Sequence, residues 1–193
     1  MTDKPTYEEL EQRIRQLEQA EKALAESEKR FRLAFHTSPD AINLNRLEDG
    51  MYIDINDGFT ELMGYDRSEV IGKTSLSLNI WKHPEDRERM VAGLRERGYV
   101  RNLEAEFLRK NGEVGVGLMS ARVLRIKDEE VILSITRDIS DRKEAEQALR
   151  ESELRFRELA ENIREVFWIF DWQRQTVLYV SPAYEIVWGR PAR

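Results

Sequence analysis

Residues 101–138, RNLEAEFLRKNGEVGVGLMSARVLRIKDEEVILSITRD, decide the fold. Up to Phe107 the hydropathy alternates. Leu103, Ala105 and Phe107 point one way and Glu104 and Glu106 the other, the period-two mark of a strand with one dry and one wet face. Asn111-Gly112 then turns the chain tightly, because both residue types tolerate positive φ. Residues 114–125 and 130–137 read as two more strands, joined around Lys127-Asp128. Strands joined by turns this short pair antiparallel.

Upstream, His83-Pro84-Glu85-Asp86 reads as a helix start, with proline at the first helical position and acids in the first turn. Asp66 and Glu69 form a capping box before Val70 and Ile71. Asn56 can cap a short helix carrying Phe59, Leu62 and Met63. Residues 41–47 and 51–55 read as strands on either side of the turn Glu48-Asp49-Gly50. The order is helix, two strands, short helices, three strands, helix. The expectation is an α+β domain: a five-stranded antiparallel sheet with its helices on one face.

Long helices flank this domain. Residues 6–35 contain no Gly or Pro and begin with a capping-box pattern, Thr6 with Glu9. Leu10, Leu17, Leu24 and Phe31 recur every seven residues, which suggests a coiled-coil seam and a parallel homodimer. The plainer alternative is an amphipathic helix packed on its own domain. A charged helix is expected from about 140 to 163, capped by Ser140 or by Asp141 boxed with Glu144. One seam on it uses Ala145, Leu149, Ser152, Phe156, Leu159 and Ile163. A second uses Glu146, Leu149, Glu153 and Phe156, so two registers compete.

The chain also repeats itself. EKALAESEKRFR at 21–32 returns as EQALRESELRFR at 146–157, an offset of 125. The offset continues without a gap: Ile42 falls on Phe167, Ile55 on Val180, Gly64 on Gly189. The second copy stops at the equivalent of Ser68. The expected organisation is a helix over 1–35, a domain over 36–140, an output helix over 141–163 and the truncated start of a second domain over 164–193. That last stretch lacks the strands that should cover its apolar side chains.

Composition narrows the function. Net charge is -6, which gives no electrostatic grip on nucleic acid or an anionic membrane. There is no cysteine, so disulfides, thiolate metal sites and cysteinyl photochemistry are excluded. No apolar run approaches the roughly 20 residues of a membrane span. The N-terminus lacks the basic and apolar regions of a signal peptide, and a cytoplasmic location is expected. No Gly-rich phosphate loop occurs, the second helix carries no histidine, and two histidines in all leave no Ser/His/Asp set. The chain itself is not expected to be an enzyme.

Six short motifs in order carry a resemblance. They are Asp54-Ile-Asn-Asp-Gly-Phe59, Gly64-Tyr65, Val70-Ile71-Gly72, His83-Pro-Glu-Asp-Arg87, Arg109-Lys-Asn-Gly-Glu113 and Arg137-Asp-Ile-Ser-Asp-Arg-Lys143. Together, over about 37–140, they resemble a PAS sensory domain of the PAS/PAC, S-box type. The resemblance implies the five-stranded PAS fold. It also implies a place ahead of a bacterial histidine kinase or, alternatively, a diguanylate cyclase, within the same polypeptide. Asp138 matches the exit aspartate that in such domains pairs with a nearby base and ties the last strand to the output helix. Ser140 stands where threonine is usual, and Asn43 and Asn45 where many members are more apolar or acidic.

Ligand chemistry is less decided. Some PAS domains ligate haem through a histidine on the central helix, but His83 sits at a helix cap beside Pro84, so haem is disfavoured. His36 reads as a polar linker residue. Covalent flavin needs a cysteine; non-covalent flavin stays open, with Trp81 able to stack on a ring, although a core or lid tryptophan is the plainer reading. An unknown small ligand is compatible with the polar candidates Asn43, Asn56, Trp81 and Ser134. The alternative is a ligand-free scaffold that dimerises and spaces other domains.

Overall fold

The computed structural model describes residues 6–126, 128–189 and 191. Lys127 of the expected turn and the outermost residues of both end segments, 1–5, 190, 192 and 193, lie outside the described set. The chain divides into two units, residues 1–140 and 141–193.

The first unit runs α1 (Tyr7–His36), β1 (Ala41–Arg46), β2 (Tyr52–Ile55), α2 (Asp57–Met63), α3 (Arg67–Val70), α4 (Pro84–Arg97), β3 (Tyr99–Leu108), β4 (Val114–Ile126) and β5 (Glu129–Asp138). All sheet pairs are antiparallel, in the order β2-β1-β5-β4-β3. The last strand in sequence is therefore the central strand in space. Alternation selects the faces: Val100, Ala105 and Phe107 of β3 are buried while Arg101 and Glu104 are exposed. The core joins Ala41, Tyr52, Ile55, Phe59, Val70, Trp81, Phe107 and Met119.

Both sheet edges are covered in part, which satisfies some of the open ladder groups of an edge strand. On the β2 side Tyr52 N donates to Lys73 O at 2.8 Å and Gly72 N to Tyr52 O at 3.0 Å. On the β3 side Leu108 N donates to Ile80 O at 2.7 Å and Lys82 N to Glu106 O at 3.1 Å. Those bonds bring Trp81 onto Phe107, with ring centroids 4.9 Å apart.

The helix ends follow local chemistry. Thr6 with Glu9 and Asp66 with Glu69 both form capping boxes. Pro84 opens α4 behind His83. Helix α1 buries only Phe35; Leu10, Leu17, Leu24 and Phe31 are exposed. Its last residue is His36, whose Nδ1 lies 2.9 Å from Asp57 Oδ1. His36 is thus part of the helix and holds α2, unlike the linker residue expected; the acid that meets it is distant in sequence.

Helix α5 (Ser140–Asn162) starts on the last residue of the first unit; the second unit holds the rest of it, a hairpin of β6 (Trp168–Asp171) and β7 (Thr176–Val180), then α6 (Ala183–Trp188). Its elements fall at the repeat offset from β1, β2 and α2. Gly189 ends α6 with φ 63°, as Gly64 ends α2 with φ 76°. Ser181, the counterpart of Asn56, accepts from Phe167 N at 3.1 Å. Asn56 accepts from Ile42 N, the equivalent amide, at 2.7 Å. Trp168, Ile169, Leu178 and Ile186 are exposed.

Candidate functional site: an internal cavity and the exit of the central strand

A cavity of about 190 Å³ lies between the inner face of the sheet and helices α2 and α4. Alternation on β1 turns Ala41, Asn43 and Asn45 inward, and register sets Asn43 opposite Ser134 and Ala41 opposite Thr136 of β5. These polar residues are buried and line one wall. Asn43 Nδ2 donates to Asn45 Oδ1, and Asn45 Nδ2 donates to Gly50 O at 3.0 Å. The other walls are apolar: Phe59, Leu62 and Met63 from α2, Met90 and Leu94 from α4, then Ile80, Trp81, Phe107, Met119 and Ile132. Tyr52 also lines it, and burial pushes its phenol well above the ordinary range, against the opposing charge of Arg87. It is neutral at any physiological pH.

Of the residues singled out from sequence, Asn43, Trp81 and Ser134 line this cavity and Asn56 does not. Asn56 is 1% exposed and spent on backbone. Its Oδ1 accepts from Ile42 N and, as the cap of α2, from Phe59 N at 2.9 Å. Its Nδ2 donates to Phe35 O, Ser38 O and Asp40 O at 3.0, 3.3 and 2.9 Å. With both ends used, it latches the α1–β1 connection to α2. Arg87, which the sequence reading did not select, lines the cavity with its Nε buried and unbonded.

The second feature is the end of β5. Asp138 Oδ2 accepts from Arg109 Nη2 at 2.7 Å, and Oδ1 accepts from Ser140 N at 2.9 Å and Ser140 Oγ at 2.6 Å. Ser140 Oγ in turn accepts from Val116 N at 2.9 Å. Ser140 is the first residue of α5, so it and Asp141 lie within the first turn instead of capping it. The serine hydroxyl bonds β4 and Asp138 holds the serine, all three residues lying within the first unit. Arg109 belongs to the hairpin after β3. Its neighbour Lys110 bonds Glu69 of α3 at 2.7 Å, which holds the Glu69 carboxyl below its ordinary range.

His83 lies at the surface with Nε2 2.9 Å from Glu106 Oε2. Lys82 bonds the same carboxylate, and the hydrogen bonds from Lys82 and then His83 hold Glu106 below its ordinary range. Neither histidine lines the cavity. Among the described residues no three His, Cys, Asp or Glu side chains group to hold a metal ion, and no helix is long and apolar enough to cross a membrane. At about 190 Å³ the cavity falls below the about 300–1,000 Å³ typical of drug-sized ligands, so its walls as they stand fit a compact molecule.

The profile of the PAS domain family matches residues 39–141. The chain belongs to the PAS domain family. Its PAS region holds the sheet, the cavity and the Asp138 junction together. Among curated proteins it is 29% identical over 135 residues to a methyl sulfide methyltransferase-associated sensor of Methanosarcina acetivorans, covering 68% of this chain and 13% of that one. It is 29% identical over 144 residues to the sensor histidine kinase TmoS of Ectopseudomonas mendocina, covering 70% and 14%. The chain thus spans about one seventh of the length of these relatives. Among solved structures, the PAS domain of an HTR-like protein from Haloarcula marismortui aligns with TM-score 0.52 at 28% identity, over 63% of this chain and 99% of that one. The PAS region is a sensory domain, and the family match over residues 39–141 carries the assignment.

Proposed function

We infer that residues 36–140 form a PAS sensor in which a small molecule in the cavity, or a neighbouring domain, biases the start of α5. One observation carries this reading. The central strand β5 contributes Ser134 and Thr136 to the cavity wall and, two residues later, Asp138 to the bonds that hold the first turn of α5. Strain at the wall and the junction share one strand, with no intervening loop. Breaking an interaction of about 1.4 kcal/mol at such a junction shifts a two-state equilibrium about tenfold.

Two further parts complete the proposal. The exposed heptad of α1, Leu10, Leu17, Leu24 and Phe31, seats a second copy of the chain as a parallel homodimer, because a continuous leucine seam is what a coiled coil buries. Residues 164–193 begin a second PAS domain: the hairpin, the short helix and the Ser181 bonds repeat those of β1, β2, α2 and Asn56. The effector is a histidine kinase in the same polypeptide, a reading supported by the named relative. A cytoplasmic location belongs to the same reading, because a histidine kinase as effector would draw on cytoplasmic ATP.

The rival reading is a scaffold without a ligand. Native mass spectrometry of the purified full chain separates the two. A stoichiometric small molecule released on denaturation supports the sensor, and an apo mass together with no ligand-induced change in melting across a metabolite panel supports the scaffold.

A further inference from the structure

We propose that the cavity takes a compact monocarboxylic acid with an apolar body, its carboxylate directed to Arg87. This rests on the sensor reading above and names the chemistry of its ligand.

Three observations point to an anion with an apolar body. The first is an unpaired cation. Arg87 of α4 is half-buried and lines the cavity, and among the described residues it has no carboxylate within ion-pair range. Its Nε is buried without an acceptor. A buried guanidinium donor left unbonded is costly, and a carboxylate is the acceptor that matches its planar fork. The neighbouring phenol of Tyr52 stays neutral, so it does not supply the missing charge.

The second observation is the charge balance of the lining. Glu48 is its one carboxylate, against the two guanidinium groups of Arg87 and Arg95. A site with excess positive charge in low-dielectric walls favours an anion. A second buried donor, Trp81 Nε1, also has no acceptor, although Trp81 is 7% exposed. Carboxylates only accept, so such a ligand complements a site whose unsatisfied atoms are donors.

The third observation is size and polarity. An apolar cavity of about 150 Å³ holds benzene in another protein, so 190 Å³ holds a ring of that size with a carboxylate attached. Phe59, Met63, Phe107 and Met119 give the ring apolar contact. Asn43 and Ser134, facing each other across β1 and β5, offer a hydroxyl or amide to any polar substituent. Dicarboxylates are disfavoured because Arg87 is half-buried while Arg95, the second guanidinium of the lining, is exposed.

The test uses the full chain and isothermal titration with benzoate, cyclohexanecarboxylate and the neutral analogue benzyl alcohol. Benzoate and cyclohexanecarboxylate are expected to bind and benzyl alcohol to bind at least about tenfold more weakly, the size of one charge-assisted hydrogen bond. Arg87→Met should erase that preference without lowering either the benzyl alcohol affinity or the ligand-free melting temperature, since it removes an unsatisfied donor; Arg87→Lys should restore part of the preference. Equal binding of acid and alcohol, or an Arg87→Met variant that still prefers the acid, overturns the assignment and leaves the sensor reading standing. Binding of none of the three at about 10 mM, where even weak complexes register, also overturns it. The sensor reading is then judged separately, by the output of an Asp138 variant.

Discussion

Replacing Asn56 by alanine should unlock the first unit without touching the cavity wall. The side chain is 1% exposed and makes five bonds, all to main chain. Alanine removes the cap on Phe59 N, worth about 1–2 kcal/mol. It also leaves the Ile42 amide without its acceptor and takes the Asn56 donor from three carbonyls, of which Asp40 O keeps Ser38 Oγ, adding about 2 kcal/mol. The sum, about 3–4 kcal/mol, is a large share of the about 5–15 kcal/mol that holds an ordinary domain. Asn56→Ser should cost about half as much, because a hydroxyl still accepts from the Ile42 amide, as Ser181 accepts from Phe167. Native-state hydrogen exchange of the β5 amides reads this directly and reports the first unit apart from the second. The alanine variant should exchange some two to three decades faster, at about 1.4 kcal/mol per decade. An acceleration under tenfold, or a serine variant as damaged as the alanine one, would refute the latch.

Three other outcomes follow from the same structure. Sedimentation of the full chain at about 50 µM, a concentration that detects modest association, should show a dimer, and the double variant Leu17→Glu, Leu24→Glu should be monomeric; a wild-type monomer removes the seam. Glu106 is held below its ordinary value of 4.5 by Lys82 and then His83, so its stabilisation is complete above that value and is lost as pH falls below it. The gap in urea midpoint between wild type and Glu106→Gln should therefore be present at pH 7 and close under acid; a gap that widens under acid contradicts the pairing. At Gly58 an added Cβ would stand 2.6 Å from Asp40 O and 2.8 Å from Ser38 O, both backbone. Gly58→Ala should thus lose about 1–3 kcal/mol in a thermal melt despite alanine's better helix propensity, and a stabilised variant would show that this backbone can yield.

Much of the fold is legible locally. Alternation over 101–107, the Asn111-Gly112 turn, Pro84 behind His83 and both capping boxes act within a few residues of one another, and the structure has each where it reads in the sequence. The inward polar wall is half legible. Asn43 and Ser134 stand out as polar residues in strands, but only register sets them opposite each other. What could not be read are relations across the fold. Asn56 reads correctly as a cap through Phe59, three residues on, and wrongly as a cavity residue. Its other partners lie 14–21 residues back. Arg109 meets Asp138 at a separation of 29 residues and Ser140 meets Val116 at 24. Arg87 shows locally only as the end of the His83–Arg87 motif, because its distinction, a buried Nε without an acceptor among the described residues, exists only in three dimensions.

The central claim is that the end of β5 couples the cavity to α5. The most direct test is Asp138→Ala in the signalling protein that carries this segment, with effector output and thermal stability measured on the same preparations. Asp138 is half-exposed and makes three side-chain bonds, so its loss should leave the domain folded, at a cost of about 1–3 kcal/mol. The account predicts a folded protein whose output is shifted and whose response to stimulus is blunted. A folded variant with wild-type output and a wild-type response would contradict it.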